Sequence, residues 1–198
     1  MSKVYTAASM SLDGFIADSS GGGFEHLFRW HGNGDVEVAT AQPDRKLRLS
    51  AASAAHLREQ LDNTGALVVG RRLFDMTGGW GGNHPFGVPV VVVTHRAPEG
   101  WPREGAPFTF VTDGIESAIA QARGIAGDRW VGVSGGSIAR QCLDVGLLDE
   151  IQVELVPVLF GGGVSFFGAL KGAPVELVGP TVVEDTDVTH LKFQVRRD

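Results

Sequence analysis

Short apolar runs bounded by glycine, proline or polar residues recur along the chain and predict buried strands. Segments of helical period lie between several of these strands. The predicted strands are Lys3–Met10, Ala66–Val69, Val88–Thr94, Phe108–Val111 and Arg129–Val133. Beyond Glu150 the period changes to two, with Ile151, Val153 and Leu155 alternating with Gln152 and Glu154.

The helical segments carry apolar residues three and four positions apart. They are Ala51–Asp62, which Ser50 would cap, a segment that Asp113 opens and that closes near Gly124, and one from Ser137 to Gly146. Residues 19–48 hold clustered glycines and aromatic residues, which favour a long ordered loop or a short helix with loops.

The last part of the chain shows strand patterns without helices between them. Val175–Val183 and Thr189–Arg196 are predicted strands on either side of Asp185 and Asp187, so they form an antiparallel hairpin. The whole pattern predicts an α/β fold, with a mixed, mostly parallel β-sheet flanked by helices and ending in this hairpin. A length of 198 residues predicts one domain over 1–198.

Composition narrows the classes of partner. The net charge is −6 and no basic run occurs, so we expect neither nucleic acid nor a membrane surface as a partner. The single cysteine, Cys142, excludes an internal disulfide, and its helical position predicts a small core residue. The N-terminal residues lack an apolar signal segment, so we expect a cytoplasmic protein.

Three predicted strand ends carry groups suited to an anion. In α/β sheets ligands bind beyond the carboxyl ends of the strands, where helix N-termini present free N–H groups to phosphate. The three ends are Gly70-Arg71-Arg72, Thr94-His95-Arg96 and Gly135-Gly136-Ser137. Arginines suit the 2′-phosphate of NADP, whereas NAD sites usually present a carboxylate. No GxGxxG motif and no P-loop occurs, so the sequence supports neither an ordinary Rossmann fingerprint nor a Walker NTPase. Together the three strand ends indicate a phosphorylated dinucleotide bound by other motifs.

Five motifs, in this order, resemble those of dihydrofolate-reductase-like proteins, above all the C-terminal reductase domain of the bacterial riboflavin-biosynthesis deaminase-reductase and its stand-alone relatives. They are Ser11-Leu12-Asp13-Gly14-Phe15-Ile16-Ala17, Gly70-Arg71-Arg72-Leu73-Phe74-Asp75, Val92-Val93-Thr94-His95, Gly135-Gly136-Ser137 and Pro157-Val158-Leu159-Phe160-Gly161-Gly162-Gly163. The resemblance covers roughly Val4 to Val195 and is weakest between Ser19 and Ser50.

The resemblance implies an NADPH-dependent reductase that forms a homodimer and transfers a hydride to a small-molecule substrate. By this resemblance phosphates contact Gly70, Arg71 and Arg72, the adenosine ribose and its 2′-phosphate contact Thr94, His95 and Arg96, and the pyrophosphate contacts Gly135, Gly136, Ser137 and Ile138. On the substrate side it implies Asp13 and Gly14 beside the nicotinamide and the substrate, with Leu159 and Phe160 lining the cleft; for the last two the alternative is core packing. Asp13 is the candidate catalytic group that handles a proton, and the alternative is a turn-forming Asp-Gly whose carboxylate only bonds neighbouring backbone N–H groups. Trp30 either covers a flat substrate ring or anchors its own loop.

Two departures from the family pattern bear on the substrate. Leu73 stands where the family commonly has threonine, so one hydroxyl contact to phosphate is missing. The acidic residue of true dihydrofolate reductases has no convincing counterpart between Ser50 and Asp62, where Glu59 is expected to be solvated. Dihydrofolate is therefore disfavoured, and a pterin, a pyrimidine or another small carbonyl or imine compound is expected.

Other functions are also compatible with the sequence. Gly132-Val133-Ser134-Gly135-Gly136 matches the G-x-S-x-G elbow of serine hydrolases, and Asp185 or Asp187 and His190 follow in hydrolase order. A module that binds a nucleotide or flavin without turnover is a further alternative. The histidines show no metal-binding spacing, so no metal is expected.

Overall fold

The structure is a computed structural model that describes residues 2–44 and 46–196. The strands, in chain order, are β1 Val4–Ser11, β2 Phe15–Asp18, β3 Val36–Val38, β4 Leu47–Leu49, β5 Thr64–Gly70, β6 Val90–Val93, β7 Phe108–Val111, β8 Trp130–Val133, β9 Glu150–Val156, β10 Gly163–Ser165, β11 Leu177–Asp185 and β12 Val188–Val195. The α-helices are α1 Phe24–Leu27, α2 Ala51–Asn63, α3 Arg71–Met76, α4 Ile115–Ala126 and α5 Ser137–Asp144.

Eight of these strands form one mixed sheet in the order β11-β12-β9-β1-β8-β5-β6-β7. The six strands from β9 to β7 are parallel, while β12 pairs antiparallel with β9 and β11 with β12. This confirms the predicted mostly parallel sheet with a C-terminal antiparallel hairpin. Because the six strands run in one direction, their carboxyl ends lie along a single edge of the sheet.

The helices cover both faces of the sheet. Helices α4 and α5 pack on one face, where Ala118, Ile119 and Cys142 lie in the main core cluster. On the other face α2 and α3 contribute Leu57 and Phe74 to two smaller clusters. Cys142 is fully buried, and burial raises its pKa to about 12, in agreement with the predicted core position.

The structure can be compared with the sequence at two predicted helix ends. Ser50 caps α2 as expected, since its side chain accepts a hydrogen bond from the backbone N–H of Ser53 at 3.1 Å. Helix α4 ends at Ala126, two residues beyond Gly124. A glycine inside a helix costs only about 1 kcal/mol relative to alanine, so the helix can continue through Gly124 to the buried Ala126.

The segment 19–48 contains more regular structure than the sequence indicates. It forms α1, a 3-10 turn over Arg29–Gly32 and the strand β3, which pairs antiparallel with β4. Gly34 is required there because a Cβ atom would lie 2.3 Å from the backbone of Leu49. A second small pair, β2 with β10, holds the loop after β9 against the turn after β1.

The outer strand β11 leaves Leu177, Val178 and Val182 partly exposed at the edge of the sheet. The homodimer expected from the sequence stays a prediction. Across the described residues, no helix combines the length and the hydropathy needed to span a membrane.

Candidate active site

One cavity of about 590 Å³ opens between the α2 face of the sheet and the carboxyl ends of its central strands. Its floor is formed by β1, β5 and β8, through residues such as Ala7, Val69 and Val133. Aromatic side chains surround the rest of it, namely Phe24, Phe28, Trp30, Trp80 and Phe86. This volume is typical of a site for a small molecule or for part of a cofactor.

One end of the cavity lies at the start of α5. Gly135, Gly136, Ser137 and Ile138 all line it, as the sequence-predicted pyrophosphate loop would require. Gly136 has φ +74°, a conformation that favours glycine. A Cβ atom on Gly135 would lie 3.1 Å from Ile16. The loop therefore lies at the N-terminus of α5, where the positive end of the helix dipole suits an anion.

The start of α3 borders the same end of the cavity, where two neighbouring arginines behave differently. Arg72 is exposed, lines the cavity and forms no ion pair within the described part of the chain. The Nε atom of Arg71 lies 2.8 Å from Asp75, and its Nη1 atom donates to the carbonyl of Arg96 at 2.8 Å. Arg71 is thus held by the protein, whereas Arg72 is available to a phosphate.

The third predicted group lies outside the cavity lining. Thr94, His95 and Arg96 follow β6, next to β5 in the sheet, and the Thr94 hydroxyl donates to the Arg96 carbonyl at 2.8 Å. The side chains of His95 and Arg96 are exposed. These residues continue the row of strand ends beyond Arg72, at the position where an extended dinucleotide would run out of the cavity.

The turn after β1 does not bring Asp13 into the cavity lining. Its exposed carboxylate accepts hydrogen bonds from the Ser11 hydroxyl at 2.6 Å and from the backbone N–H groups of Phe160 and Gly161 at 3.1 and 2.7 Å. The Ser11 bond and these N–H groups hold the pKa of Asp13 below its usual value. In this structure Asp13 ties two loops together, and its catalytic role stays a prediction.

The other residues predicted beside Asp13 share its position at the rim. Gly14 has φ +90° and accepts a hydrogen bond from the backbone N–H of Phe166 at 3.1 Å. Leu159 is 68% exposed, so the alternative of core packing is wrong for it. Phe160 is half-buried and packs edge-on against His26. Among the described residues, neither Leu159 nor Phe160 lines the cavity.

Trp30 anchors its own loop, and its role in covering a substrate ring stays a prediction. It is buried, and its indole N–H donates to the Ser9 hydroxyl at 3.0 Å, so it anchors its loop to β1. It also lines the cavity at the end opposite α5. A flat ligand ring entering this end would therefore contact the indole.

A buried polar network behind Trp30 is not evident from sequence reasoning. Glu154 on β9 lines the cavity, and its Oε1 atom lies 3.2 Å from both His56 Nε2 and Gln60 Nε2 of α2. Gln60 Nε2 also donates to Gln152 Oε1 at 2.9 Å. Two patterns in the sequence could have indicated it, namely polar residues at alternate positions of β9 and the i, i+4 pair of His56 and Gln60.

His190 of β12 completes this network, and its position contradicts the serine-hydrolase alternative. Its Nε2 atom lies 2.9 Å from the hydroxyl of Ser53, which donates to Asp185 at 2.5 Å. Ser134 follows β8, and β9 and β1 separate β8 from β12. Since neighbouring strands are about 4.8 Å apart, His190 lies roughly 14 Å from the strand that carries Ser134.

His56, Glu154 and His190 also offer ligand atoms that lie within 4.8 Å of one another. Sequence spacing gives no indication of this cluster because its members come from α2, β9 and β12. The Nδ1 atom of His190 is buried and has no hydrogen-bond partner among residues 2–44 and 46–196.

A mostly parallel sheet that ends in an antiparallel hairpin, with a cavity at its carboxyl edge, defines an α/β protein with the dihydrofolate-reductase-like fold. Residues 2–179 match the model of the RibD C-terminal domain family. The chain belongs to that family.

Solved structures with this fold are similar over nearly the whole chain. A Shewanella sp. PV-4 protein provisionally assigned to riboflavin biosynthesis is 23% identical, with a TM-score of 0.70 and coverage of 98% of this chain and 99% of that one. Dihydrofolate reductase from Enterococcus faecalis, complexed with NADP(H) and RAB-propyl, is 16% identical, with a TM-score of 0.56 and coverage of 98% and 97%.

A third similar structure is the diaminohydroxyphosphoribosylaminopyrimidine deaminase/5-amino-6-(5-phosphoribosylamino)uracil reductase of Thermotoga maritima. It is 16% identical, with a TM-score of 0.61 over 98% of this chain. The match spans only 57% of that longer protein. No curated protein sequence matches this chain.

Proposed function

We propose that the protein is an NADPH-dependent oxidoreductase that transfers a hydride to a small heterocyclic, carbonyl or imine substrate. The observation that carries this proposal is the convergence of the α5 N-terminus and Arg72 on one end of a cavity whose other end is aromatic; Arg72 forms no ion pair with any residue that the structure describes. An anionic cofactor fits the first end and a flat acceptor fits the second.

The cofactor end suits a dinucleotide with an additional phosphate. Gly135, Gly136 and Ser137 line the cavity at the N-terminus of α5, and backbone N–H groups at other helix N-termini bind anions such as pyrophosphate. Arg72 offers a planar guanidinium for a phosphate, and Arg96 lies further along the same edge of the sheet. The NADP(H) in the Enterococcus faecalis enzyme of the same fold supports this assignment.

The acceptor end suits a planar, weakly polar compound. Leu57, Phe28 and Trp30 provide apolar walls, and Glu154 and Gln60 provide polar atoms at the base. NADPH would supply the hydride when bound. The chain itself then needs to orient the acceptor, to exclude water and to manage one proton.

The first test is calorimetric binding of NADPH and NADH at matched salt. We expect a clear preference for NADPH, and Arg72→Ala should weaken NADPH binding about tenfold because a charge-assisted contact to phosphate is lost. Arg103→Ala is the matched control, since Arg103 stacks on Trp101 away from the cavity. Failure of wild-type protein to bind either nucleotide would contradict the proposal.

Turnover is tested next, by NADPH oxidation with pterins, pyrimidinones and small imines. A reductase should oxidise NADPH with at least one of these classes. Saturable NADPH binding without oxidation by any of them would instead favour the non-catalytic nucleotide-binding module.

A further inference from the structure

Three buried side chains from separate elements meet next to the acceptor end of the cavity. His56 of α2, Glu154 of β9 and His190 of β12 each present one nitrogen or carboxylate oxygen, and these atoms lie within 4.8 Å of one another. Two imidazoles and one carboxylate form a donor set that Zn²⁺ commonly takes in proteins. The cluster therefore has the composition of a metal site.

One half of this cluster is satisfied without an ion. A neutral His56 with its proton on Nε2 donates to Glu154 Oε1 at 3.2 Å. The amide group of Gln60 donates to the same oxygen at 3.2 Å and to Gln152 Oε1 at 2.9 Å. These bonds leave no unpaired atom between α2 and Glu154, so the feature that indicates an ion must be on His190.

His190 has one ring nitrogen without a partner. The hydroxyl oxygen of Ser53 lies 2.5 Å from the Asp185 carboxylate, so the hydroxyl proton is used in that bond. The contact of the same oxygen with His190 Nε2, at 2.9 Å, must then be donated by the imidazole. In the neutral ring Nδ1 is consequently a lone pair.

This lone pair lies in a nearly inaccessible place. His190 is 2% exposed, and its Nδ1 atom has no hydrogen-bond partner in the described part of the chain. The ring stacks on His56 with the centroids 4.2 Å apart, so both of its nitrogens lie beside the other members of the cluster. A buried acceptor that is left unpaired costs free energy, and a bound ion is one of the partners that can satisfy it.

The groups behind His190 are those that accompany metal-bound histidines. Such a histidine usually donates its second ring N–H to a carboxylate or another oxygen, which fixes the tautomer and the ring orientation. His190 donates Nε2–H to Ser53, and Ser53 donates to Asp185. The carboxylates of Glu154 and Asp185 would balance the charge of a buried divalent cation.

We propose that His56 Nε2, the Glu154 carboxylate and His190 Nδ1 bind one Zn²⁺ ion. The ion takes the place of the proton on His56 Nε2, since metal ligands must be deprotonated at the binding atom. Zinc–ligand bonds are about 2.0–2.2 Å long, so ligand atoms of one ion lie about 3.3–3.5 Å apart. The cluster reaches this spacing by side-chain rotations that offset the stacked rings of His56 and His190.

Three protein ligands leave a fourth position of a tetrahedral ion open. Of the three, Glu154 is the one that lines the cavity among the residues that the structure describes. The open position therefore faces the acceptor end, where water or an oxygen atom of a bound compound would occupy it. The inference does not depend on the proposed function, because it requires neither NADPH nor turnover.

The test begins with wild-type protein that has been treated with a chelator and is then titrated with Zn²⁺ or Co²⁺ alone. We expect one Zn²⁺ per chain and a higher melting temperature with the ion, because only the folded chain brings the three ligands together. Co²⁺ should give the strong visible absorption of a four-coordinate ion, and added Zn²⁺ should remove it.

Four variants test the assignment of the ligands. His56→Gln, Glu154→Gln and His190→Gln should each abolish the Co²⁺ absorption and weaken Zn²⁺ binding at least about 100-fold, since loss of an outer partner alone costs about 10–100-fold. Ser53→Ala keeps all three ligands and removes only the outer partner of His190, so it should weaken binding about tenfold.

Two matched controls replace the same residue types on the surface. His26 is exposed beside Glu25, and Glu59 is an exposed carboxylate paired with Lys192. His26→Gln and Glu59→Gln should bind Zn²⁺ as the wild-type protein does. Circular dichroism and thermal melting without metal check that each variant is folded.

Certain results would overturn the inference. One is the absence of saturable Zn²⁺ binding by wild-type protein, which does not depend on any variant. Another is unchanged Zn²⁺ affinity in His56→Gln or His190→Gln, which would show that other residues hold the ion. If His190→Gln does not fold, His56→Gln and Ser53→Ala carry the same test. NADPH binding, measured separately, bears on the proposed function alone.

Discussion

The imidazole rings of His56 and His190 stack with their centroids 4.2 Å apart and their planes at 27°. His56 comes from α2 and His190 from β12, so this contact joins the helix to the C-terminal hairpin. Two charged imidazoles at this distance would repel each other, and burial disfavours charge on His190. His190 is therefore held in its neutral form.

This neutral histidine makes the stability of the fold dependent on pH. The pKa of His190 is lowered from 6.5 to about 4 by burial first and by His56 second. Between these values the unfolded chain binds a proton that the folded chain does not, so stability is lost as pH falls from about 6.5 to about 4. We expect a loss of about 1 kcal/mol between pH 7 and pH 5 from this residue.

Urea unfolding at pH 7 and at pH 5 measures this difference. His190→Gln should show a smaller loss over the same interval, although its stability at pH 7 will be lower. Asp185 is not expected to contribute to this difference in stability. Burial acts to raise its pKa, but the hydrogen bonds from Ser50 and Ser53 outweigh burial and hold the pKa below its usual value. An unchanged pH dependence in His190→Gln would contradict the assignment.

The variant Asp13→Asn distinguishes a residue that only connects two loops by hydrogen bonds from a catalytic group. The amide oxygen of asparagine can still accept hydrogen bonds from Phe160 and Gly161. We therefore expect unchanged NADPH affinity and a turnover reduced by less than about tenfold, with a larger effect in Asp13→Ala. Steady-state kinetics and calorimetry measure both quantities. A loss of 10²-fold or more in Asp13→Asn, which is typical of a missing general acid, would make Asp13 the catalytic group instead.

Arg96→Ala tests recognition of the 2′-phosphate. Arg96 is exposed beyond the end of β6, and its carbonyl, not its guanidinium, is the group that Arg71 and Thr94 contact. Its loss should weaken NADPH binding about tenfold and leave NADH binding unchanged, because only NADPH carries the additional phosphate. Calorimetry with the two nucleotides measures the ratio. Equal weakening of both would remove the assignment.

Cys142 is expected to be chemically inert in the folded protein. Burial raises the pKa of its thiol to about 12, so almost no thiolate is present at pH 8. A chromogenic disulfide reagent should label it only after unfolding in urea. Rapid labelling of the native protein at pH 8 would show that α5 opens and exposes its buried side.

Much of the fold could be predicted because local pattern and tertiary environment agree in most elements. Val90–Val93 is apolar throughout and is an inner strand between β5 and β7, and Ser50 caps α2 as its position indicates. The short strands β2, β3, β4 and β10 could not be predicted in the same way. Each has only three or four residues and is stabilised by a distant partner, as Val164 is by Ala17.

The candidate site, like the fold, could be predicted from the sequence only in part. Gly135 and Arg72 could be placed at the cavity from their position after strands, since parallel topology brings strand ends together. Glu154 could not be placed at the cavity from its position in the sequence, because an alternating strand does not reveal which of its faces another element will cover. Helix α2 covers the polar face of β9, so Glu150, Gln152 and Glu154 are buried.

The location of His190 also bears on the order in which the protein is made. Trp30 and His56 are synthesised early, yet each packs against a ring that the ribosome adds only with the last strand. Until β12 has emerged, the polar face of β9 and the helix above it lack this support. The cofactor end can assemble on the nascent chain, whereas the acceptor end is finished only after β12 has been synthesised.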